Sequence, residues 1–200
     1  DGFPRDCQGN INKSDLNYDG QVTAVTSNRL IVKADNDGDI CFYTSAPAEM
    51  IVDINGVTAT GVTAIANQRT DTRTASSIAA GKTLRVNVAE AVGGKTVFGQ
   101  LAVAGITGAG FVTAYGCDDG IPRDNNGNIN KSDLNYDGQV TSVTSNRLIV
   151  TADNDGDICF YTSAPAEMIV DINGVTATGV TAIANQRTDT RTASSIAAGK

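Results

Sequence analysis

Residues 1–82 of this 200-residue chain return almost letter for letter at 119–200, with differences only at Phe3/Ile121, Cys7/Asn125, Gln8/Asn126, Ala24/Ser142 and Lys33/Thr151. A spacing of 118 residues is too long for one solenoid turn and falls in the ordinary range of a whole domain. Any fold for this chain must therefore be one that a sibling can follow directly. Residues 83–118 occur once, so the repeat is cut. That predicts a piece of a longer secreted array, the alternative being incomplete ends that complete each other between chains. The stretch Ile51–Arg73, repeated as Ile169–Arg191, marks the handover between units. The expected division is 1–56 as the C-terminal part of one repeat, 57–174 as a complete repeat and 175–200 as the N-terminal part of the next.

Within one period the pattern is β. Leu84, Val86 and Val88 alternate with polar residues, and Thr96–Ile106 and Phe111–Tyr115 are apolar or β-branched runs. Asp37-Gly38 lies between Arg29–Val32 and Ile40–Tyr43, a strong hairpin signal. Ala48–Gly56 reads as a strand closed by Asn-Gly, and Val57–Ala66 as a strand-like connector. No capped apolar series at helical spacing interrupts this. The fold class expected is all-β, a tandem array of jelly-roll-like β-sandwich domains with a 118-residue period; the alternative is a β-solenoid.

Composition narrows function mainly by exclusion. A net charge of −7 without a Lys/Arg cluster leaves no basic footprint for nucleic acid or an anionic membrane, and no apolar run has membrane-spanning length. Histidine is absent, which removes the usual general base and the Ser-His and Cys-His arrangements. Trp is absent and aromatics are 5%, so a sugar-stacking platform is missing as well. The expectation is that the chain is not an enzyme. Four cysteines without CxxC spacing read as disulfides. Cys117 and Cys159 border apolar alternating stretches that would be neighbouring strands. Cys7 is expected to pair with Cys41, the alternative being a free Cys7 or a bond to another chain.

Two acidic segments have partial calcium-loop spacing. Asp15, Asn17 and Asp19 precede Gly20 as in the first half of an EF-hand loop, but position twelve is Thr26 where a bidentate carboxylate should stand. Asp35, Asp37 and Asp39 crowd carboxylates around Gly38. Ordinary turn structure accounts for both, so no cofactor is expected, with weak calcium binding as the alternative. Asn12-Lys-Ser14 and Asn130-Lys-Ser132 satisfy the N-glycosylation pattern. Arg69, Asp71 and Arg73 are spaced to project to one face of a strand, as a charged ladder or a buried Arg–Asp pair.

Several motifs occur in a telling order: Arg69–Thr74, Ala79–Val86, Gly110–Cys117, Ser132–Val140, Ile158–Ser163 and Met168–Gly174. Over a whole unit they resemble a class of bacterial extracellular repeats common in secreted and cell-wall proteins of actinobacteria, with an R-x-x-D-T-R head and a V-D-V-N-G tail. The Asn/Asp-rich stretch Asp118–Lys131 departs from that pattern. The resemblance implies a β-rich, non-catalytic module used as stalk, adhesin or accessory, and it supports the Cys117–Cys159 pairing. The function expected is a structural repeat of a secreted or cell-surface filament or stalk, whose partners are copies of itself packed head to tail. The alternative is an adhesin or glycan-binding module. The inter-repeat seam is expected at Val57, Thr58, Thr60, Val62, Arg69, Asp71 and Arg73.

Overall fold

In the computed structural model of the chain, the described residues are 5, 8–11, 14–16, 30–52, 61–138, 143–176, 178 and 180, the side chains of 66–69 excepted. Among the described residues eight strands run in order: β1 (Thr63–Asp71), β2 (Thr83–Asn87), β3 (Thr96–Ala104), β4 (Ala109–Gly116), β5 (Leu134–Asp137), β6 (Thr144–Thr151), β7 (Asp157–Thr162) and β8 (Glu167–Thr176). Every pairing is antiparallel. β1 pairs with β8, β2 with β7, β3 with β6 and β4 with β5, so the chain is one long hairpin whose tip is the β4–β5 connection.

Wrapping that hairpin adds the β3·β8 and β4·β7 pairings, which gives sheets of order β1-β8-β3-β6 and β2-β7-β4-β5. This is the jelly-roll order, two packed sheets of two Greek keys. The solenoid alternative is thereby set aside.

Alternation within the strands places the core. Val97, Leu101 and Val103 from β3, Met168, Val170 and Ile172 from β8, and Leu148 and Val150 from β6 face Val86, Val112, Leu134, Ile158 and Phe160 of the second sheet. The middle strands β3 and β8 are closed on their other face too: Phe98, Gln100, Ala102, Ile169, Asp171 and Asn173 are all buried. The register aligns Arg147, Gln100, Asp171 and Gln68 in one row across the four strands. The Arg147 guanidinium covers the Phe98 ring at 5.9 Å and donates to Asn173 Oδ1 at 3.4 Å. A long cationic stem of this kind shields apolar sheet surface while keeping its head polar.

The tail Asp171-Ile172-Asn173-Gly174 differs from the strand-plus-turn expected for its copy at Asn55-Gly56. β8 continues through Asn173-Gly174 to Thr176. Asn173 is an extra residue opposite β3, between the Gly99↔Ile172 and Phe98↔Gly174 pairs. Such a bulge switches which side chains face inward, and Val175 accordingly joins Ile172 in the core. The glycine serves close approach and not a turn, because a Cβ on Gly174 would lie 2.9 Å from the Thr63 carbonyl oxygen.

Cys117, just beyond β4, is bonded to Cys159 of β7, and the pairing Tyr115↔Cys159 shows why: the two strands are neighbours. Closing a loop with a separation of 42 residues restricts the unfolded chain by about 4 kcal/mol in the chain-entropy account.

The first copy is different. Residues 30–52 match 148–170 except at Lys33/Thr151, yet none of them lies in a strand. Phe42 is 43% exposed and Met50 50% exposed, whereas their counterparts Phe160 and Met168 are fully buried. The hairpin expected around Asp37-Gly38 is formed as a turn alone, without paired arms.

Tight strand contact should be visible in glycine substitutions. A Cβ at Gly99 would lie 2.4 Å from the Asp171 carbonyl oxygen, while one at Gly108 meets nothing within 4 Å. Gly99→Ala is expected to lower unfolding free energy by about 1–3 kcal/mol and Gly108→Ala to change it by less than about 0.5 kcal/mol, as read from urea unfolding.

Candidate functional site

The two groups of residues singled out for function are the acidic turns and the seam. The turns share one design. Asp153 Oδ1 accepts the amides of Asp155 and Asp157 at 3.0 and 2.8 Å, and the Gly156 amide donates to the Asp153 carbonyl at 3.1 Å. Asp35 repeats this with Asp37 and Asp39 at 3.0 and 2.8 Å, and Asp124 with Asn126 and Asn128 at 2.9 and 2.8 Å. An Asp that closes its own turn in this way uses an oxygen on backbone amides. Gly38, Gly127 and Gly156 all have φ between 82 and 88°, the left-handed geometry that the fourth turn position requires.

In the second copy the turn is tied to β2, the edge strand beside β7. Arg85 of β2 donates through Nε to Asp157 Oδ2 at 2.8 Å, and its Nη2 stands 3.6 Å from the buried Asp153 Oδ2. Asn87 donates to Asp157 Oδ1 at 2.8 Å. Asn87 and then Arg85 hold the Asp157 carboxyl below the usual range. Asp39, the first-copy counterpart of Asp157, is exposed.

The calcium-like run looks different once folded. Asp133–Asp137, the copy of Asp15–Asp19, leads into strand β5, which turns Leu134 and Tyr136 inward and leaves Asn135 and Asp137 exposed. Asp133 points elsewhere, accepting the Ala114 amide at 2.7 Å and pairing with Lys131 at 3.0 Å. Burial raises its pKa against the opposing pull of Lys131 and that amide. Strand geometry thus separates the oxygens that a loop would have converged. In the first copy Asp15 Oδ1 accepts from Asn173 Nδ2 at 2.8 Å, and Asn17 and Asp19 lie outside the described residues. Among the described residues no three acidic, Cys or His side chains are grouped to hold a metal.

At the seam, Val57, Thr58 and Thr60 lie outside the described residues. Val62 leads into β1 and is partly buried, packing where a Gly174 side chain would otherwise stand. The expected Arg–Asp pair forms between Arg73 and Asp71, partly exposed and off the strand. β1 ends at Asp71, which caps a 3-10 turn at Thr72–Thr74, and Arg73 folds back from that turn. Its Nε donates to Asp71 Oδ1 at 2.9 Å and its amide to the same oxygen at 3.0 Å. The chain bends at Thr72 because that side chain is buried and its Oγ1 accepts the Met168 amide at 2.8 Å. Arg69 contributes its backbone to β1.

The Cys7–Cys41 bridge is not formed: Cys41 is a free, exposed thiol, and Cys7 lies outside the described residues. Among the described residues, Cys41 and its neighbours 30–52 lie in no strand, whereas the β4·β7 pairing brings Cys117 to Cys159. Of the two glycosylation-pattern residues, Asn12 lies outside the described residues and Asn130 is partly buried ahead of β5. A shallow open depression is lined by Ser132, Asp133, Asn146, Arg147 and Ile149, and among the described residues no helix is long and apolar enough to cross a membrane.

Sequence reading missed the Arg85–Asp157–Asn87 cluster and the Asp15–Asn173 contact. Neither has a local signature, because the partners are about 70 and 158 residues apart. The sequence matches no model of a known protein family and no curated protein.

Because Asp157 has a lowered pKa in the fold, its contribution is present above the ordinary value of 3.8 and is lost as pH falls below it. Asp157→Asn is expected to lower stability at neutral pH and to flatten the acid limb below pH 3.8, as read from urea midpoints on both sides of that value.

Proposed function

We propose that this chain is a structural repeat of a secreted or cell-surface filament or stalk, in which near-identical jelly-roll units pack head to tail. The observation that carries the reading is the combination of tandem near-identity with side-by-side unit ends. Thr63, the first residue of β1, pairs with Val175 near the end of β8, and the next copy of Thr63 is Thr181, six residues beyond Val175. With each β1 on its own β8, equivalent points in successive units are separated by six residues of extended chain plus one inter-strand step. That is at most about 25 Å. Beads on a flexible string would need a longer connector.

The Asp15–Asn173 hydrogen bond supports direct packing, since it joins the preceding copy to β8 of the complete unit. In the next seam the counterpart of Asp15 is Asp133, whose Oδ2 is engaged by Lys131 and the Ala114 amide inside its own unit. Identical seams repeated in one direction produce an open polymer. The disulfide accords with an oxidising, extracellular setting, and copies of the same unit are the partners.

Electron microscopy of the native assembly tests this. Uniform fibres with an axial repeat per unit of no more than about 25 Å are expected. Discrete particles that bind a glycan array would contradict it and favour the adhesin alternative.

A further inference from the structure

We propose that residues 30–52 are a docking surface for a second polypeptide that carries the sequence of residues 83–118, with which they complete a further pair of packed sheets. The proposal rests on the fold and the repeat, independently of the filament reading.

The ladders of the sandwich have one property in common. Each of the six pairings among the described strands joins a member of β1–β4 to a member of β5–β8, and none joins two strands of the same half. Each half is therefore completed only by the other. Residues 30–52 belong to the second half by letter, matching 148–170 except at Lys33/Thr151. They lie in no strand, and Val32, Phe42, Tyr43, Met50, Ile51 and Val52 are exposed. Large apolar side chains exposed together in one stretch mark an interaction site.

The second copy specifies what covers those side chains. Phe160 lies between Leu84 and Ala114, Met168 opposite Val103 and Val170 opposite Leu101, and all three are fully buried. Phe42, Met50 and Val52 are their copies. The polar contacts are specified too: Arg85 and Asn87 bind Asp157, whose copy Asp39 is exposed. The turn that carries Asp39 already has its own hydrogen bonds to Asp35, so part of the ordering that docking requires is done in advance. The occupant comes from another polypeptide, because residues 83–116 of this chain are engaged by β5–β8. Docking sets Cys41 where Cys159 stands, beside the partner's equivalent of Cys117. Oxidised glutathione then joins the two thiols in one S–S bond and leaves as two glutathione thiols that carry the two protons.

A synthetic peptide of residues 83–118, added to the full chain, provides the test, with a peptide carrying Val86→Asp and Leu101→Asp as control. Hydrogen exchange and disulfide mapping in a glutathione buffer read the result. Docking predicts that amides of 40–44 and 49–52 exchange at least about tenfold more slowly, saturating at one peptide per chain, and that the peptide's cysteine is bonded to Cys41. The control peptide is expected to do neither, and Cys41→Ser in the chain to keep the slowing while losing the bond. Unchanged exchange at 40–44 and 49–52 would overturn the proposal. So would equal slowing by the control peptide, or the peptide's cysteine found on Cys159, which would identify exchange into the second copy instead.

Discussion

Strand β8 is paired along both edges, by β1 and by β3, and buried on both faces, and the rest of the molecule is arranged around that enclosure. Its ten residues bring Met168, Val170 and Ile172 into the core and hold Asp171 beside Gln100 on the other face. Burying a carboxylate there is costly unless polar neighbours compensate, and the row Arg147, Gln100, Asp171 places such neighbours in register. The bulge at Asn173 and the bare Cα of Gly174 then let β1 close against the strand. The V-D-x-N-G tail is therefore a packing device more than a turn.

The repeat supplies its own control for this dependence. Residues 49–52 have the letters of 167–170, yet Ile51 is 86% exposed where Ile169 is 1% exposed. Strand propensity is the same in both places, so the difference comes from partners. Residues 83–116 provide β2, β3 and β4, occur once, and are engaged by the second copy. The Asp-x-x-Gly-x turns behave oppositely: Asp35–Asp39 and Asp153–Asp157 carry the same four hydrogen bonds with and without flanking strands. A turn closed by its own aspartate is local, whereas a strand is completed by what lies beside it.

That contrast explains what was legible in the sequence. The alternation at Leu84, Val86 and Val88, the Asp37-Gly38 hairpin signal carried by its copy Asp155-Gly156 and the run from Thr96 correspond to β2, the β6–β7 turn and β3, and the alternating short strands implied two packed sheets. The readings that went astray involve distant partners. Asp133–Asp137 has loop-like spacing but is pulled into a strand by pairing with β4. Asn173-Gly174 has turn letters but stays within β8, bulged at Asn173 and flanked by β1 and β3. Arg73 has strand spacing from Arg69, yet burial of Thr72 bends the chain first. The Cys7–Cys41 pairing presumed strands around Cys41, and residues 30–52 lie in none.

The central claim is that partner strands, and not the repeated letters, decide which copy is sheet, and amide hydrogen exchange within the one chain tests it most directly. Peptides spanning 33–52 and 151–170 differ only at Lys33/Thr151, which tells them apart by mass while leaving their intrinsic exchange rates nearly equal. The account predicts that amides of 158–162 and 167–170 exchange at least about a hundredfold more slowly than those of 40–44 and 49–52. Equal protection of the two peptides would contradict it.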